Sequence, residues 1–224
     1  MKLVAIIPAR GGSKRLPRKN ILDLNGYPLI SYPIKAAIES QIFESVIVST
    51  EDSEIAEISK KFGAEVFNRP IEFAQDTSTV AQVCLSVIDQ IDVENFCCIY
   101  ATAALLTPKT IVDSYQMYAN DESTNYLMGV SGYNYSPVQA LRMDKEGELS
   151  YLMPEYVGIQ SQYYPKLVVS NGTFVWAYAQ QFKVDKLFYS PRLKGYVVPE
   201  GEVCDLDSLE DFERMKIKYL DVNK

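Results

Sequence analysis

Short apolar runs alternate along the first 130 residues with segments whose apolar residues recur at helical spacing. The five runs have the length of buried strands and span residues 3–7, 46–50, 64–67, 96–100 and 126–130. Strands that are apolar throughout and separated by helices are typical of a mostly parallel sheet with helices on both faces. The alternation therefore predicts an α/β fold.

Four helices are predicted between these runs, at residues 30–42, 54–62, 79–91 and 108–118. Gly63 follows the second helix, where a left-handed cap residue is expected. Ligands of such sheets bind at the carboxyl ends of the strands. Three segments follow strands at that edge, residues 8–20, 49–52 and 100–103, and we expect them to converge on one pocket.

The first of these segments, residues 8–20, is here named the cradle. It carries five cations within ten residues and no acid, although the chain has a formal net charge of -7: Arg10, Lys14, Arg15, Arg18 and Lys19. Gly11 and Gly12 allow close approach of the backbone to an anion, and Ser13 adds a hydroxyl. The segment matches neither the P-loop nor the dinucleotide-binding spacing. It indicates a polyphosphate site of another kind, and the alternative is a glycine turn beside a solvated charged face.

A family resemblance rests on these residues. The stretch IPARGGSKRLPRKN, followed by LNGYPLI, resembles the opening of the CMP-sialic acid synthetases, or acylneuraminate cytidylyltransferases. The related Kdo cytidylyltransferases lack the Gly-Ser-Lys and Lys-Asn elements in this form. The resemblance implies a Rossmann-like nucleotidyltransferase fold, also described as GT-A-like, in which this loop binds the triphosphate of CTP. It implies nucleotide contacts for Ala9, Arg10, Gly11, Ser13, Lys14 and Asn20, and catalytic roles for Arg10 and Lys19.

Two further stretches extend the implied nucleotide site. Residues 68–70 and 76–79 resemble the family segment whose arginine and hydroxyl groups recognise cytosine, which implies base contacts for Arg69, Ser78 and Thr79. The structural alternative is that residues 76–78 provide the N-cap of a helix, and the same residues can both cap the helix and contact the base.

Asp205 and Asp207 alternate on a short segment before a predicted helix, so both carboxylates point to one side. Hard oxygen ligands in this arrangement suit Mg²⁺ shared with substrate phosphates, although aspartates before a helix are more often caps. The resembled family carries an Asp-x-Asp here that binds the metal. It therefore implies Mg²⁺ as cofactor, metal ligation by both residues, and a catalytic role for Asp207. The chain contains no histidine, which excludes histidine-dependent catalysis and ligation.

Residues 133–170 are rich in tyrosine and proline and do not fit a compact βα unit. They predict a protruding arm that requires a partner surface, and the alternative is a surface Ω-loop with its aromatic side chains packed underneath. Family members use this region to form a homodimer and to line the partner's sugar site. We therefore expect one cytidylyltransferase domain, residues 1–224, with a dimerisation arm at about residues 133–170.

The resemblance also implies a sugar site, formed by Tyr100, Thr102, Gln160, Gln162 and Asn171. Two departures bear on the substrate. Most members of the family have Gln-Pro-Thr-Ser-Pro at the position of residues 100–104. This chain has Tyr-Ala-Thr-Ala-Ala there, and that stretch resembles the pseudaminic acid branch of the family. Gln160 stands where the family has the arginine that binds the sugar carboxylate. Either another cation such as Arg142 or Lys166 serves, or the ligand differs.

Charge, apolar runs and cysteines indicate the partners, the location and the thiol state to expect for this chain. The acidic balance argues against a nucleic-acid partner, since the positive charge is confined to the cradle. No apolar run approaches the length of a membrane span, and the start of the chain does not look like a cleavable signal, so we expect a cytoplasmic protein. The four cysteines lack metal-site spacing and are expected to be reduced core thiols.

Together, the residues and the resemblance predict a CTP-dependent cytidylyltransferase. It would activate a nine-carbon 2-keto sugar acid of the pseudaminic, legionaminic or sialic acid type to the CMP-sugar and release pyrophosphate. Two alternatives remain open at this point: a cytidylyltransferase for another keto sugar acid such as Kdo, and a sugar-nucleotide-binding homologue without turnover.

Overall fold

A seven-stranded sheet forms the centre of the computed structural model, which describes residues 2–222. Residues 1, 223 and 224 belong to the predicted domain of residues 1–224 and lie outside the described residues. The strands are β1 (Leu3–Pro8), β2 (Asp23–Leu24), β3 (Tyr27–Pro28), β4 (Ser45–Thr50), β5 (Glu65–Asn68), β6 (Asn95–Ile99), β7 (Tyr126–Gly132), β8 (Leu141–Met143), β9 (Leu149–Tyr151), β10 (Val168–Tyr178) and β11 (Leu193–Val197). The helices are α1 (Ser31–Glu39), α2 (Ser53–Lys61), α3 (Val80–Ile88), α4 (Pro108–Ala119), α5 (Ala179–Asp185) and α6 (Leu209–Val222).

The strands of the large sheet follow the order β11-β7-β10-β6-β1-β4-β5. β1 pairs in parallel with both β4 and β6, so that Ala5 lies between Val46 and Cys97. β5 continues the parallel arrangement beside β4, and β11 is parallel to β7. β10 is antiparallel to both of its neighbours. The predicted mostly parallel α/β sheet is confirmed.

Two apolar cores cover the two faces of this sheet. Because side chains alternate along a strand, Ala5 and Ile7 enter one core with α1, α2 and α4, whereas Val4 and Ile6 enter the other with α3 and α5. Helices on both faces bury the central strands β1, β4 and β6 almost completely, which explains why these strands are apolar nearly throughout.

All five predicted strands and all four predicted helices are present, and the differences lie at their ends. α1 ends at Glu39 rather than at residue 42, because Gln41 adopts a left-handed conformation with φ of 58°. The expected left-handed cap after α2 is confirmed at Gly63, where φ is +93°. The apolar pattern locates a helix well but does not fix its last turn.

The region after residue 132 combines a hairpin with a long strand. β8 and β9 pair around a turn at Gly147 and form part of the predicted arm. From residue 168 the chain returns to the sheet as β10, which inserts between β6 and β7. β10 thus begins within the last three residues of the range expected for the arm, about 133–170, and neither the position of β10 nor the strand β11 was part of the sequence prediction.

A third apolar cluster lies beneath the cradle and α6. Leu16 from the cradle and Leu206 from the Asp-x-Asp segment are both buried in it, 3% and 1% exposed respectively. Phe212 and Met215 of α6 complete its C-terminal side. These apolar anchors hold two charged segments, almost 200 residues apart in sequence, side by side.

Candidate active site

A cavity of about 310 Å³ opens at the carboxyl ends of the parallel strands. Pro8 at the end of β1 and Tyr100 directly after β6 both line it. Nine of the residues proposed from sequence share its wall: Arg10, Ser13, Lys14, Lys19, Asn20, Arg69, Ser78, Tyr100 and Thr102. The fold thus gathers most of the expected nucleotide site and two of the expected sugar contacts in one place.

The cradle is fixed by backbone and side-chain hydrogen bonds. The Ala9 N–H donates to the Ser49 carbonyl at 2.9 Å, and the Asn20 amide donates to the Arg10 carbonyl at 2.9 Å. The Ala9 side chain is fully buried and does not line the cavity, so any contact of Ala9 with nucleotide would come from its backbone. Residues 49–52 thereby meet the cradle, as the strand-end argument predicts.

Each cation of the cradle is paired with a carboxylate from another part of the chain. Asp76 binds Arg10 at 2.8 Å and also Lys14. Asp207 binds Arg15 and lies 3.6 Å from the Lys19 ammonium. Arg18, the fifth cation, binds both Asp52 and Glu54.

These pairs change the electrostatic interpretation of the cradle. In sequence the five cations form a local excess, whereas in the fold their charge is offset by acids that lie close in space and far along the chain. The hydrogen bond from Lys14 holds the pKa of Asp76 below its ordinary value, and Arg18 does the same for Asp52. A phosphate that binds the cradle has to compete with these carboxylates.

Gly11 is needed for packing as well as for any approach to an anion. A Cβ atom at Gly11 would lie 2.3 Å from Asp52 Oδ2, and the Gly11 N–H already donates to Glu51 Oε1 at 2.8 Å. Gly11 does not line the cavity. Its expected contact with phosphate would require the Glu51 hydrogen bond to open, and it stays a prediction.

Glu51 is a residue that the sequence argument placed at the rim without a role. Its Oε2 atom is buried, has no hydrogen-bond partner within residues 2–222, and lies 3.9 Å from Arg69 Nη1. Arg69 is 7% exposed, and burial lowers the pKa of its guanidinium while Glu51 opposes that shift. Arg69 also donates to the Ser49 carbonyl at 2.5 Å. Glu51 therefore connects the cradle backbone to the arginine expected at the nucleobase.

Ser78 and Thr79 have different environments. Ser78 lines the cavity and donates to the Glu72 carbonyl at 3.1 Å. Thr79 is the N-cap of α3 and forms a reciprocal capping box with Gln82. The N-cap therefore lies one residue after the expected range of 76–78, and the Thr79 hydroxyl is engaged by the helix rather than directed at the cavity.

The expected sugar residues divide into two groups. Tyr100 and Thr102 line the cavity, and burial raises the pKa of the Tyr100 phenol, which is neutral at ordinary pH. Asn171 lies outside the cavity wall on β10, where its amide donates to Ser131 Oγ at 3.0 Å and accepts from the Thr173 hydroxyl at 2.6 Å. Hydrogen bonds connect Asn171 to the cavity through Thr173, because the Thr173 carbonyl accepts from the Tyr100 N–H at 2.9 Å.

Gln160 and Gln162 are exposed on the arm and hydrogen-bond to each other at 2.7 Å. Neither lines the cavity of its own chain. Arg142 lies on β8, and Lys166 borders a separate cavity between the arm and Val197. Within residues 2–222, these four side chains lie outside the cavity wall.

The Asp-x-Asp segment lies against the cradle. Lys19 donates to the Leu206 carbonyl at 2.7 Å, and the Asp207 N–H donates to Asp211 at 3.1 Å. Asp205 is exposed and accepts from the Leu206 N–H at 3.0 Å. Within residues 2–222 no group of three or more His, Cys, Asp or Glu side chains is arranged to hold a metal ion. A metal ion here would need further ligands from substrate or water.

Comparisons with known proteins give a consistent picture. A sequence family described as Cytidylyltransferase matches residues 4–149. A pseudaminic acid cytidylyltransferase of Campylobacter jejuni is 33% identical over 98% of this chain and 97% of its own length. A CMP-N,N'-diacetyllegionaminic acid synthase of Legionella pneumophila is 30% identical over 100% of this chain and 98% of its own length.

Among solved structures, a CMP:2-keto-3-deoxy-manno-octonic acid synthetase complexed with CTP superposes with a TM-score of 0.75. It covers 99% of each chain at 14% sequence identity, so this likeness concerns the fold. Across the described residues, every helix is too short or too polar to cross a bilayer.

Proposed function

This chain belongs to the cytidylyltransferase family of nucleotidyltransferase enzymes, and from that premise we propose that it activates a nine-carbon 2-keto sugar acid with CTP. The products are the CMP-sugar and pyrophosphate. The full-length similarity to enzymes named for pseudaminic and legionaminic acids supports the substrate class. The alternatives of a Kdo-type substrate and of a homologue without turnover become outcomes of the experiment below.

The observation that carries this proposal is the shared cavity at the strand ends. Three cations of the cradle, Arg10, Lys14 and Lys19, line it together with Arg69 and Ser78. Such a cavity can bind a triphosphate through charge-assisted hydrogen bonds and a nucleobase through directional polar contacts. Tyr100 and Thr102 at the end of β6 leave space for the second substrate beside the phosphates.

The reaction is an in-line displacement at phosphorus. The 2-hydroxyl of the sugar acid attacks the α-phosphorus of CTP, and the bond to the β-phosphate oxygen breaks as pyrophosphate leaves. Arg10 and Lys14 neutralise charge on the phosphates, and Lys19, held by the Leu206 carbonyl, is positioned to do so near Asp207. The chain supplies no histidine, so the general base is not an imidazole.

The residues present fit Mg²⁺ as a cofactor. The Asp207 carboxylate lies at the cradle and Asp205 precedes it, and two hard oxygen donors suit an ion that takes its other ligands from phosphates and water. Asp205 and Asp207 would hold the ion. When bound, Mg²⁺ would offset charge on the phosphates and lower the pKa of a coordinated hydroxyl.

The arm supports a homodimer. It exposes apolar side chains on the hairpin and on the segment before it, including Met143 at 70% and Tyr135 at 90%. This is more apolar surface than a monomer usually leaves in contact with water. In a dimer, the arm of the second subunit would bring Gln160 and Gln162 to the sugar site of the first.

The experiment that tests the function is a pyrophosphate-release assay with CTP and Mg²⁺ against a panel of sugar acids. We expect the highest kcat/KM with pseudaminic- or legionaminic-type acids, because a cavity with Tyr100 and without the usual arginine favours a more apolar sugar with fewer hydroxyls. Equal or higher kcat/KM with N-acetylneuraminate would contradict this preference. Turnover of Kdo alone would indicate the other keto sugar acid, and no turnover with any acid would indicate a binding homologue.

A further inference from the structure

Asp76 is an acid that lines the cavity and pairs with two cations of the cradle, and it has no assigned role. Its two carboxylate oxygens bridge Arg10, at 2.8 Å, and Lys14. Both cations and Asp76 itself line the cavity. On the other side of the cradle Asp207 bridges Arg15 and Lys19 in the same manner. Asp207 has an expected metal role, whereas the bridge formed by Asp76 has no such explanation.

Local structure does not account for Asp76 either. The N-cap of α3 is Thr79, which completes its capping box with Gln82. The turn before it is closed by the backbone, with the Ser78 N–H donating to the Gln75 carbonyl at 3.1 Å. Within residues 2–222, the contacts of the Asp76 carboxylate are those with the two cradle cations. The carboxylate therefore holds cations that are expected to bind phosphate and caps no helix.

We propose that the Asp76 carboxylate competes internally with the polyphosphate for Arg10 and Lys14. This inference rests on the proposed function, in which the same two cations bind the phosphates of CTP. A triphosphate displaces the carboxylate because it presents several charged oxygens to the two cations at once. When pyrophosphate leaves, the carboxylate recovers both cations and thereby favours product release.

The exposure of the bridge makes this exchange reversible. The Asp76 side chain is 42% exposed, and those of Arg10 and Lys14 are 34% and 81% exposed. Ion pairs this open to water are weak and break readily. Asp76 can therefore keep the two cations oriented in the nucleotide-free enzyme and still give way to a stronger anion.

The test is calorimetric binding of inorganic tripolyphosphate and of pyrophosphate to the full chain. Asp76→Asn removes the competing charge at nearly constant shape, so we expect both anions to bind about 3- to 10-fold more tightly, the range that partly exposed pairs allow. Pyrophosphate should inhibit CMP-sugar formation more strongly by a similar factor. Binding of cytidine, which has no phosphate, should not change, whereas a general disturbance of the cavity would weaken it.

Two control variants separate the local effect from net charge. Asp76→Glu keeps the carboxylate and should restore anion affinities close to those of the wild type. Asp92→Asn removes one acid at a remote surface pair, where Asp92 accepts from Lys2 at 2.9 Å, and should leave them unchanged. Melting temperatures of all three variants verify that each is folded.

The outcomes distinguish this inference from the proposed function. Unchanged or weaker polyphosphate binding by Asp76→Asn, with CTP turnover intact in the wild type, would overturn the inference alone. Tighter binding after Asp92→Asn as well would also overturn it, because the gain would then reflect net charge. A wild-type protein that binds neither tripolyphosphate nor CTP would overturn the proposed function together with the inference.

Discussion

At the scale of single residues, the half-buried carboxylate of Glu51 contacts the cradle and Arg69 at a cavity that it does not line. Oε1 accepts from the Gly11 N–H, and Oε2 faces Arg69. A buried arginine is tolerated because a counter-charge lies near it and a carbonyl accepts from it. Glu51 thus links the cradle backbone to the arginine expected at the nucleobase.

We expect Glu51→Gln to lower the free energy of unfolding by about 2–4 kcal/mol, because the amide keeps an acceptor for Gly11 but removes the charge that faces buried Arg69. Urea denaturation measures this effect. In a double-mutant cycle with Arg69→Met, the two losses should be clearly less than additive, since the second substitution removes the group left without a counter-charge. Additive losses would show that the pair is not coupled.

Asp207 allows a second prediction at this scale, which concerns the proposed metal site. Asp207→Asn should abolish pyrophosphate release at ordinary Mg²⁺ concentrations and change stability by at most about 1 kcal/mol, because its ion pairs are partly exposed. Activity titrated with Mg²⁺, together with thermal melting, measures both quantities. Asp211→Asn is a control that alters the same segment at the α6 cap. Full activity of Asp207→Asn, or inactivity explained by unfolding, would count against the metal role.

At the scale of secondary-structure elements, the beginning of α2 joins the cradle to the sheet. Asp52 is the N-cap of this helix and accepts from the Ile55 N–H at 3.0 Å, while Arg18 of the cradle binds the same carboxylate. The hydrogen bond from Arg18 lowers the pKa of Asp52. One side chain thus starts a helix and holds the middle of the cradle.

This arrangement predicts a pH-dependent contribution to stability. A carboxylate whose pKa is lower in the folded state stabilises fully above its unfolded pKa of about 3.9, and the contribution is lost as the pH falls through the folded value. Asp52→Asn keeps the cap and removes the charge, so it should cost about 1 kcal/mol at pH 7. Urea denaturation from pH 7 down to pH 3 should show this difference shrinking. A difference independent of pH would exclude the charge as its cause.

At the scale of the whole molecule, the sheet and the arm differ in how far their apolar side chains are exposed to water. The sheet is covered on both faces, whereas the hairpin β8–β9 exposes Leu141, Met143, Leu149 and Tyr151. The exposed apolar hairpin, together with a cavity that lacks Gln160, Gln162 and Asn171 from its expected sugar contacts, is the basis on which we propose a functional dimer.

We expect the protein to sediment as a dimer, with twice the mass of the monomer. Met143→Lys with Leu149→Lys should shift it toward monomer and reduce turnover, because charges on the hairpin oppose burial between subunits. Val184→Lys is the matched control, since Val184 is 73% exposed on α5, away from the arm. Sedimentation velocity and pyrophosphate release measure the two effects. A wild-type protein that is fully active as a monomer would contradict the dimer and the shared sugar site.

The sequence by itself determined the elements whose signals are local. Five strands and four helices follow from apolar periodicity, and Gly63 marks a helix end, because burial on one or two faces imposes a pattern on neighbouring residues. The cradle motif was likewise sufficient to indicate the family, since its cations and glycines lie within one short stretch of sequence.

Only the tertiary structure decided which residues meet. No local pattern pairs Arg10 with Asp76, Arg15 with Asp207 or Gly11 with Glu51, because each pair is separated by 40 to 192 positions. The insertion of β10 between β6 and β7 is equally non-local, since a strand's own residues do not specify its neighbours. The physical reason is that apolar burial sets where an element forms, whereas chain topology sets which charges the elements bring together.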